Sequence, residues 1–465
     1  MKTKIFRGTP YHLWNPYTPM DKYLKFFGFG PMTIVRGEGN YVYNQNGKRY
    51  LNANSSTWNF ALGYGREEII KAVNDQMKEL AFSSLWGHSH PRAIELAAKL
   101  VEITGGHFQH VMLGSNGSEA VEAALKLSRQ FHRQSPNALD HGRYKIISLR
   151  EGYHGVSFGA VTAAGKEVYS EKFGPLVPGF LQIDPPYCYR CPYGKTGYPE
   201  CALVCADALE ETIRAEGKET VAAFLMEPVM GEYGVIIPPE PYYTAVGDIC
   251  KRNGVLLIAD EVTTGFGRTG KLFASQDWDP QPDIICLGKI ISGGYLPLAA
   301  TLTTGAIFER FLGADKYFMH GSTNSGHPAA CAAGLAAIDI ILRENLPENA
   351  ANMGEYFKTE LETIKGKFEI VGDVRVKGLM VAVELVKDQQ TKEPLNKDEL
   401  FDYVMDVVER GVLISLDSLR FLPPLNITQE QAAQIVRAVG QALVSNKAGR
   451  MFRLAMGFIR SKISA

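Results

Sequence analysis

The chain reads as an α/β protein: a mostly parallel central sheet with helices on both faces, plus a smaller α+β domain. Three observations predict this. The 465 residues are too many for one ordinary core and imply two or three units. Five short apolar runs, at 110–113, 144–149, 222–226, 255–259 and 284–287, are separated by helical stretches, and each is followed by a small or polar motif. After Leu335 the pattern changes to helix, strands and helix, as in an α+β unit.

Taken in order, residues 30–50 alternate apolar and polar around the turn signal Asn46-Gly47 and predict a small antiparallel hairpin. Segment 1–70 is assigned with that hairpin to the smaller domain, and 71–340 to the large domain. Segment 341–445 forms the rest of the smaller domain, with strands expected at 368–371, 378–385 and 412–416 and a join near 343–347. The tail 446–465 carries Lys447, Arg450, Arg453, Arg460 and Lys462 with no acid. Its residues Met451, Leu454, Phe458 and Ile459 can share one helical face. Docking on its own or a partner subunit is expected, with a membrane surface as the alternative.

Hydrophobic residues make up 45% and charged residues 21%, ordinary for a globular protein, and the net charge of −1 favours neither nucleic acid nor an acidic membrane surface. The basic start lacks an apolar stretch behind it, and no run approaches the roughly 18 apolar residues of a membrane helix. A cytoplasmic location is expected. Seven cysteines, an odd number, argue against a disulfide framework. Cys188, Cys191, Cys201 and Cys205 cluster in an insertion at 185–206. Four thiolates can hold zinc, but their spacing departs from common zinc ribbons, and Cys201 and Cys205 suit one helix turn. The expectation is a reduced structural insertion without metal.

Ligands of parallel sheets gather beyond the carboxyl ends of the strands, and all five motifs fall there. In VLLIADEVTTGFGRTG, Asp260 ends an apolar strand. Such a residue commonly caps a turn. A carboxylate there can also keep a cofactor's pyridine nitrogen protonated, since opposite charge favours the cation. In DIICLGKIISGGYLPLAA, Lys289 ends another strand. Most lysines face solvent, but one held at the edge of a buried sheet loses its charge readily and forms a Schiff base. Ser292, Gly293 and Gly294 let the backbone pass close to a planar ring. In GSNGSEAVEAALKLSRQF, Gly117 and Ser118 lie in a small-residue turn that opens a helix, with Asn116 and Glu119 at capping-box spacing. That turn suits a phosphate, or is simply a well-capped helix. The segment HGSTNSGHPAACAAG repeats the design as a second phosphate contact or a tight helix seam. Tyr153, in GYHG, sits where an aromatic can stack on a ring or pack the core.

The segments GSNGSEA, GYHG, EPVMGE, DEVTTGFGRTG, GKIISGGYLPLAA and HGSTNSGHPAACAA, in this order, resemble the class III aminotransferases of fold type I, which use pyridoxal phosphate (PLP). The likeness runs from about Asn15 to Ser445 and includes the family's spacing of Asp260 and Lys289. It implies that Lys289 carries the cofactor and that Asp260 pairs with its ring nitrogen. It implies further cofactor contacts from Gly117, Ser118, Tyr153, His154, Glu227 and Val262. Thr323 matches a threonine that reaches the neighbouring subunit's phosphate, which implies a homodimer with shared sites, a tetramer being left open. Trp58 and Trp86 match positions that shape the substrate pocket. Arg420 resembles an arginine for the substrate carboxylate, and Glu232 the glutamate that parks it when an uncharged amine is bound. A solvated charge on a small-domain strand is the plain alternative for Arg420.

The implied reaction moves an amino group from a primary amine or ω-amino acid to pyruvate or 2-oxoglutarate by ping-pong steps. The same motifs occur in aminomutases and decarboxylases of the family. The segments HLWNPYTPM, SSTW, FMHG and VGDVRV also look like diaminopelargonate synthase. Val156 departs from both subgroups: it stands where many ω-amino-acid enzymes have arginine and where diaminopelargonate synthases have aspartate. A second arginine for a distal carboxylate is therefore absent from that position, which favours pyruvate as acceptor.

Overall fold

The computed structural model describes residues 5–6, 9–10, 12–20 and 32–445. The tail expectation at 446–465 lies outside the described residues. The strands are β1 (Ile5–Phe6), β2 (Thr9–Pro10), β3 (Ile34–Glu38), β4 (Tyr41–Asn44), β5 (Arg49–Leu51), β6 (His110–Gly114), β7 (Lys145–Leu149) and β8 (Phe180–Ile183). They continue as β9 (Val221–Met226), β10 (Leu256–Asp260), β11 (Ile284–Leu287), β12 (Ala299–Thr303), β13 (Val371–Lys377), β14 (Met380–Leu385) and β15 (Leu419–Phe421). A seven-stranded sheet in the order β6-β12-β11-β10-β9-β7-β8 forms the centre. All its pairings are parallel except those of β12, which runs antiparallel to both β11 and β6.

The five apolar runs all become strands because both faces of the sheet are covered. Along β9, Val221, Phe224 and Met226 pack with the helices Val204–Glu216 and Pro241–Asn253. The intervening Ala222, Ala223 and Leu225 pack with Ala120, Val121 and Ala124 of the helix Gly117–Arg133 on the opposite face. A strand buried on both faces has no polar side and reads as a continuous apolar run. Strands β8 and β12 left weaker signals: β12 is AATLT, small and hydroxyl-bearing, and β8 is only four residues long.

Four expectations need correction. The hairpin is a three-stranded antiparallel sheet, β3-β4-β5, because a second tight turn joins Glu38 to Tyr41 ahead of the one at Asn46-Gly47. No strand forms at 412–416. Val412 makes a single bridge to Leu51, and the strand is Leu419–Phe421, paired with β14. The pairing at 368–371 begins only at Val371. The two shifts in the small sheet reflect a tertiary partner, the edges of β14, rather than local propensity. Backbone bonds from Leu51 to Gly411, from Leu413 to Leu51 and from Leu422 to Ala53 tie the N-terminal sheet to the C-terminal region. Cys201 lies in a turn ahead of the helix Val204–Glu216, with Leu203 in a left-handed conformation between (φ +61), so Cys201 and Cys205 do not share a helix turn.

Candidate active site

The site is built where β9, β10 and β11 end. Asp260 closes β10 and is almost fully buried. Its Oδ2 lies 2.7 Å from His154 Nδ1, and its Oδ1 accepts the Val262 amide at 3.1 Å. His154 is also buried, and its Nε2 has no partner among the described residues. Glu227 follows β9; its Oε1 accepts the Tyr153 amide at 2.9 Å and its Oε2 the Gly231 amide at 3.2 Å. Burial pushes its carboxyl up to about 7, with the His154 charge opposing.

Lys289 follows β11 after Gly288, with φ at +47, a conformation that costs a non-glycine residue on the order of 1–3 kcal/mol. Its Nζ donates to Thr263 Oγ1 at 2.6 Å and stands 5.4 Å from the Trp58 ring centre. Burial lowers its pKa below the ordinary lysine range, and Asp260 is the strongest opposing charge. A lysine poised this way gives up its charge more readily than a solvated one.

Beside it, backbone and side chains meet closely. A Cβ on Gly117 would fall 2.7 Å from Val262 Cγ1, and one on Gly288 would fall 3.2 Å from the same atom. Ser118 Oγ accepts the Val156 amide at 3.2 Å, which lays the GYHG segment across the start of the helix Gly117–Arg133. That helix is capped by Asn116, whose side chain accepts the Glu119 amide at 3.1 Å. Glu119 does not close the capping box on Asn116. It takes the Ser115 amide at 2.6 Å, one residue earlier. A glycine-lined helix start suits a phosphate, and a buried carboxylate beside it suits a protonated ring nitrogen. These residues fit pyridoxal phosphate.

The opposite wall comes from the small sheet. Arg420, on β15, is 3% exposed and donates through Nη1 to the carbonyl oxygens of Gly231, at 2.9 Å, and Glu232. Its Nη2 reaches Glu232 Oε2 and Asp417 Oδ1, each at 3.3 Å. The guanidinium lies 4.9 Å from the Trp58 ring centre, so Trp58 stands between Lys289 and Arg420. The structure thus gathers Gly117, Ser118, Tyr153, His154, Glu227, Asp260, Val262 and Lys289 on one side, and Trp58, Glu232 and Arg420 on the other. Trp86, 69% exposed, and Thr323 both lie on the surface of the single chain. Among the described residues, no three His, Cys, Asp or Glu side chains are placed to hold a metal, and no helix is long and apolar enough to cross a membrane.

Sequence reasoning missed Thr263 and Asp417. Thr263 shares the strand-end turn of Asp260, and Asp417 sits three residues before Arg420, so both spacings were readable. Tyr17 was missed too; its hydroxyl lies beside Tyr153 and Tyr169.

The model of the family described as aminotransferase class-III matches residues 28–443. The adenosylmethionine-8-amino-7-oxononanoate aminotransferase of Methanocaldococcus jannaschii is 38% identical over 449 residues, covering 93% of this chain and 96% of the relative. The taurine–pyruvate aminotransferase of Bilophila wadsworthia is 36% identical over 433 residues, covering 90% and 93%. The solved structure of an amine transaminase from an uncultivated Pseudomonas species, in its PLP-bound form, superimposes with a TM-score of 0.89 at 37% identity, covering 94% of this chain and 99% of that one.

Proposed function

The chain belongs to the class-III aminotransferase family, and on that premise we propose that Lys289, Asp260, His154, Glu227, Gly117, Ser118, Tyr153 and Val262 hold pyridoxal phosphate while Arg420 and Glu232 sort the substrates. The enzyme moves an amino group from an amine to a keto acid. The cofactor, when bound, supplies an electron sink for charge at the carbon next to the transferred nitrogen.

Each protein group has a defined task. Asp260, held by His154 and the Val262 amide, presents a fixed carboxylate to the ring nitrogen. Lys289 Nζ, once free, takes the proton from the donor carbon and returns it on the other side of the exchange. Burial, which lowers its pKa below the ordinary lysine range, favours the neutral amine that this step requires. Thr263 Oγ1 orients that amine. Arg420 offers two donors to the carboxylate of a keto acid, a geometry a lysine does not match. When the substrate end is uncharged, Glu232 Oε2 keeps the guanidinium paired and spares a buried cation.

The observation that carries this reading is the pairing of Asp260 and Lys289 from separate strand ends with an arginine–glutamate pair facing them. Val156, 52% exposed, offers no cation for a distal carboxylate. That supports pyruvate as acceptor, in keeping with the name of the Bilophila relative, and an amine donor with an uncharged end, in keeping with that of the Pseudomonas amine transaminase. A second reading takes the substrates named for the Methanocaldococcus relative; Tyr17 beside Tyr153, within the HLWNPYTPM opening, favours it. The exposure of Trp86 and Thr323 supports a homodimer in which each chain completes its partner's site. The joining of β3-β5 to the 411–422 segment supports counting both as one smaller domain.

The test is a panel of amines, taurine and adenosylmethionine assayed against pyruvate, 2-oxoglutarate and 8-amino-7-oxononanoate. Transfer from a neutral-ended amine to pyruvate is expected. Turnover of a single substrate without any acceptor would point instead to an aminomutase or decarboxylase.

A further inference from the structure

The turn that carries Glu232 is gripped twice, and only one grip belongs to the substrate site. In the small sheet, Arg375 on β13 lies opposite Ala382 on β14, and Ala382 lies opposite Arg420 on β15. Directly opposed residues point to the same face, so the two arginines form one rung, two strands or about 10 Å apart. Ala382 between them is small and buried. The turn at 231–235 lies over that rung. Arg420 Nη1 takes the carbonyls of Gly231 and Glu232 at one end. Arg375 Nε donates to the Gly234 carbonyl at 2.9 Å at the other.

Arg375 itself has no freedom to swing. Its Nη1 contacts Asp373 Oδ2 at 2.6 Å, Glu384 Oε2 at 2.7 Å and Tyr187 Oη at 3.0 Å. Glu384 also accepts from Tyr187 Oη and, at 2.6 Å, from Arg190 Nε. Two arginines and two carboxylates thus form a balanced cluster with little exposure. Burial alone would raise the Glu384 carboxyl, yet the Arg375 charge and the hydrogen bonds hold it below its ordinary range. Buried ion clusters add little net stability over apolar packing. This one instead fixes the direction of a single N–H toward Gly234. Within the turn, Val235 has a positive φ of +59, a conformation that a β-branched residue adopts only when held from outside, while Gly234 beside it takes its own positive φ without strain.

We infer that Arg375 is a positioning residue for substrate exchange: by pinning Gly234 it holds Glu232 where that carboxylate can pair with Arg420 whenever no substrate carboxylate is present. The inference rests on the Arg420–Glu232 reading above and extends it to a residue that touches neither substrate nor cofactor. Without the pin the Glu232 carboxylate drifts, and a neutral amine then binds beside a buried guanidinium whose remaining carboxylate partner is the exposed Asp417. A keto acid supplies its own carboxylate and does not need Glu232.

The test compares Arg375→Gln, Arg375→Lys and Glu232→Gln holoenzymes in separate half-reactions, one with a neutral amine and one with pyruvate. Lysine keeps the charge in the cluster but cannot reproduce both sets of bonds, so it serves if the glutamine variant fails to fold. The expected result is an amine KM about tenfold higher in the Arg375 and Glu232 variants, with the pyruvate KM within about twofold. Hydrogen exchange of the peptide covering 230–236 should also speed up in the Arg375 variants while β13–β15 stay protected. A selective Glu232→Gln effect with unselective Arg375 variants, or exchange that rises equally across the small sheet, overturns the inference alone. Loss of selectivity in all three overturns the Arg420–Glu232 reading and this inference with it.

Discussion

The two walls of the crevice are made differently. The wall of Asp260, His154, Glu227 and Lys289 comes from turns after parallel strands of the large sheet; Asp260 and Glu227 are held by backbone amides, Lys289 by a hydroxyl and His154 by Asp260 itself. The wall of Arg420 comes from a short strand of the small sheet, and its partners lie on a turn 188 positions away and on Asp417. A group fixed by its own strand end is suited to hold a cofactor that never leaves. A guanidinium shared among two carboxylates and two carbonyls can exchange one acceptor while keeping the others, and suits a partner that changes in every cycle.

The sharpest way to break the comparison is at the fixed wall. Lys289→Ala should lower turnover by at least about 10³-fold while part of the cofactor stays bound. Undiminished transfer would end the assignment. Asp260→Asn should cost roughly 10²–10³-fold in kcat with KM for both substrates little changed, since it alters the ring's charge and not the pocket. A loss confined to KM would place Asp260 elsewhere in the mechanism.

The movable wall should respond selectively. Arg420→Ala should raise the keto acid KM by about 100-fold and that of an uncharged amine by less than about threefold. Equal shifts would show that the arginine packs rather than sorts. The smallest expected effect concerns Glu227. Its folded pKa of about 7 lies above the ordinary carboxyl value of 4.5, so the folded state holds the proton longer than the unfolded chain. The sign follows: the contribution of this group is fully present below pH 4.5 and is lost as pH rises through about 7. Relative to Glu227→Gln, the cofactor-free protein should lose roughly 2 kcal/mol across that interval in denaturant titrations. Parallel pH curves for the two proteins would refute it.

The fixed wall was legible in the chain because strand, turn and functional residue are contiguous there: an apolar run ends, and Asp260 or Lys289 comes next. Its partner Thr263 escaped notice because a threonine after a strand end reads first as a turn residue. The movable wall was legible only through resemblance, and only as Trp58, Glu232 and Arg420. Nothing local shows that Arg375 shares a rung with Arg420, since 45 positions separate them and their register passes through Ala382. The same limit misplaced the strand expected at 412–416. Its apolar residues suit a strand, but the partner edge offered by β14 lies opposite Leu419–Phe421.

By itself the sequence determined the five buried strands and the residues that end them, because burial on both faces leaves an unbroken apolar run and the turn that follows is local. Tertiary structure alone decided the antiparallel course of β12, the placing of the last small-sheet strand at Leu419–Phe421 and the double grip on the Glu232 turn. Each of these depends on which backbone edge or carbonyl a distant segment meets. Hydrogen bonds between segments far apart in the chain leave no periodic trace in either one.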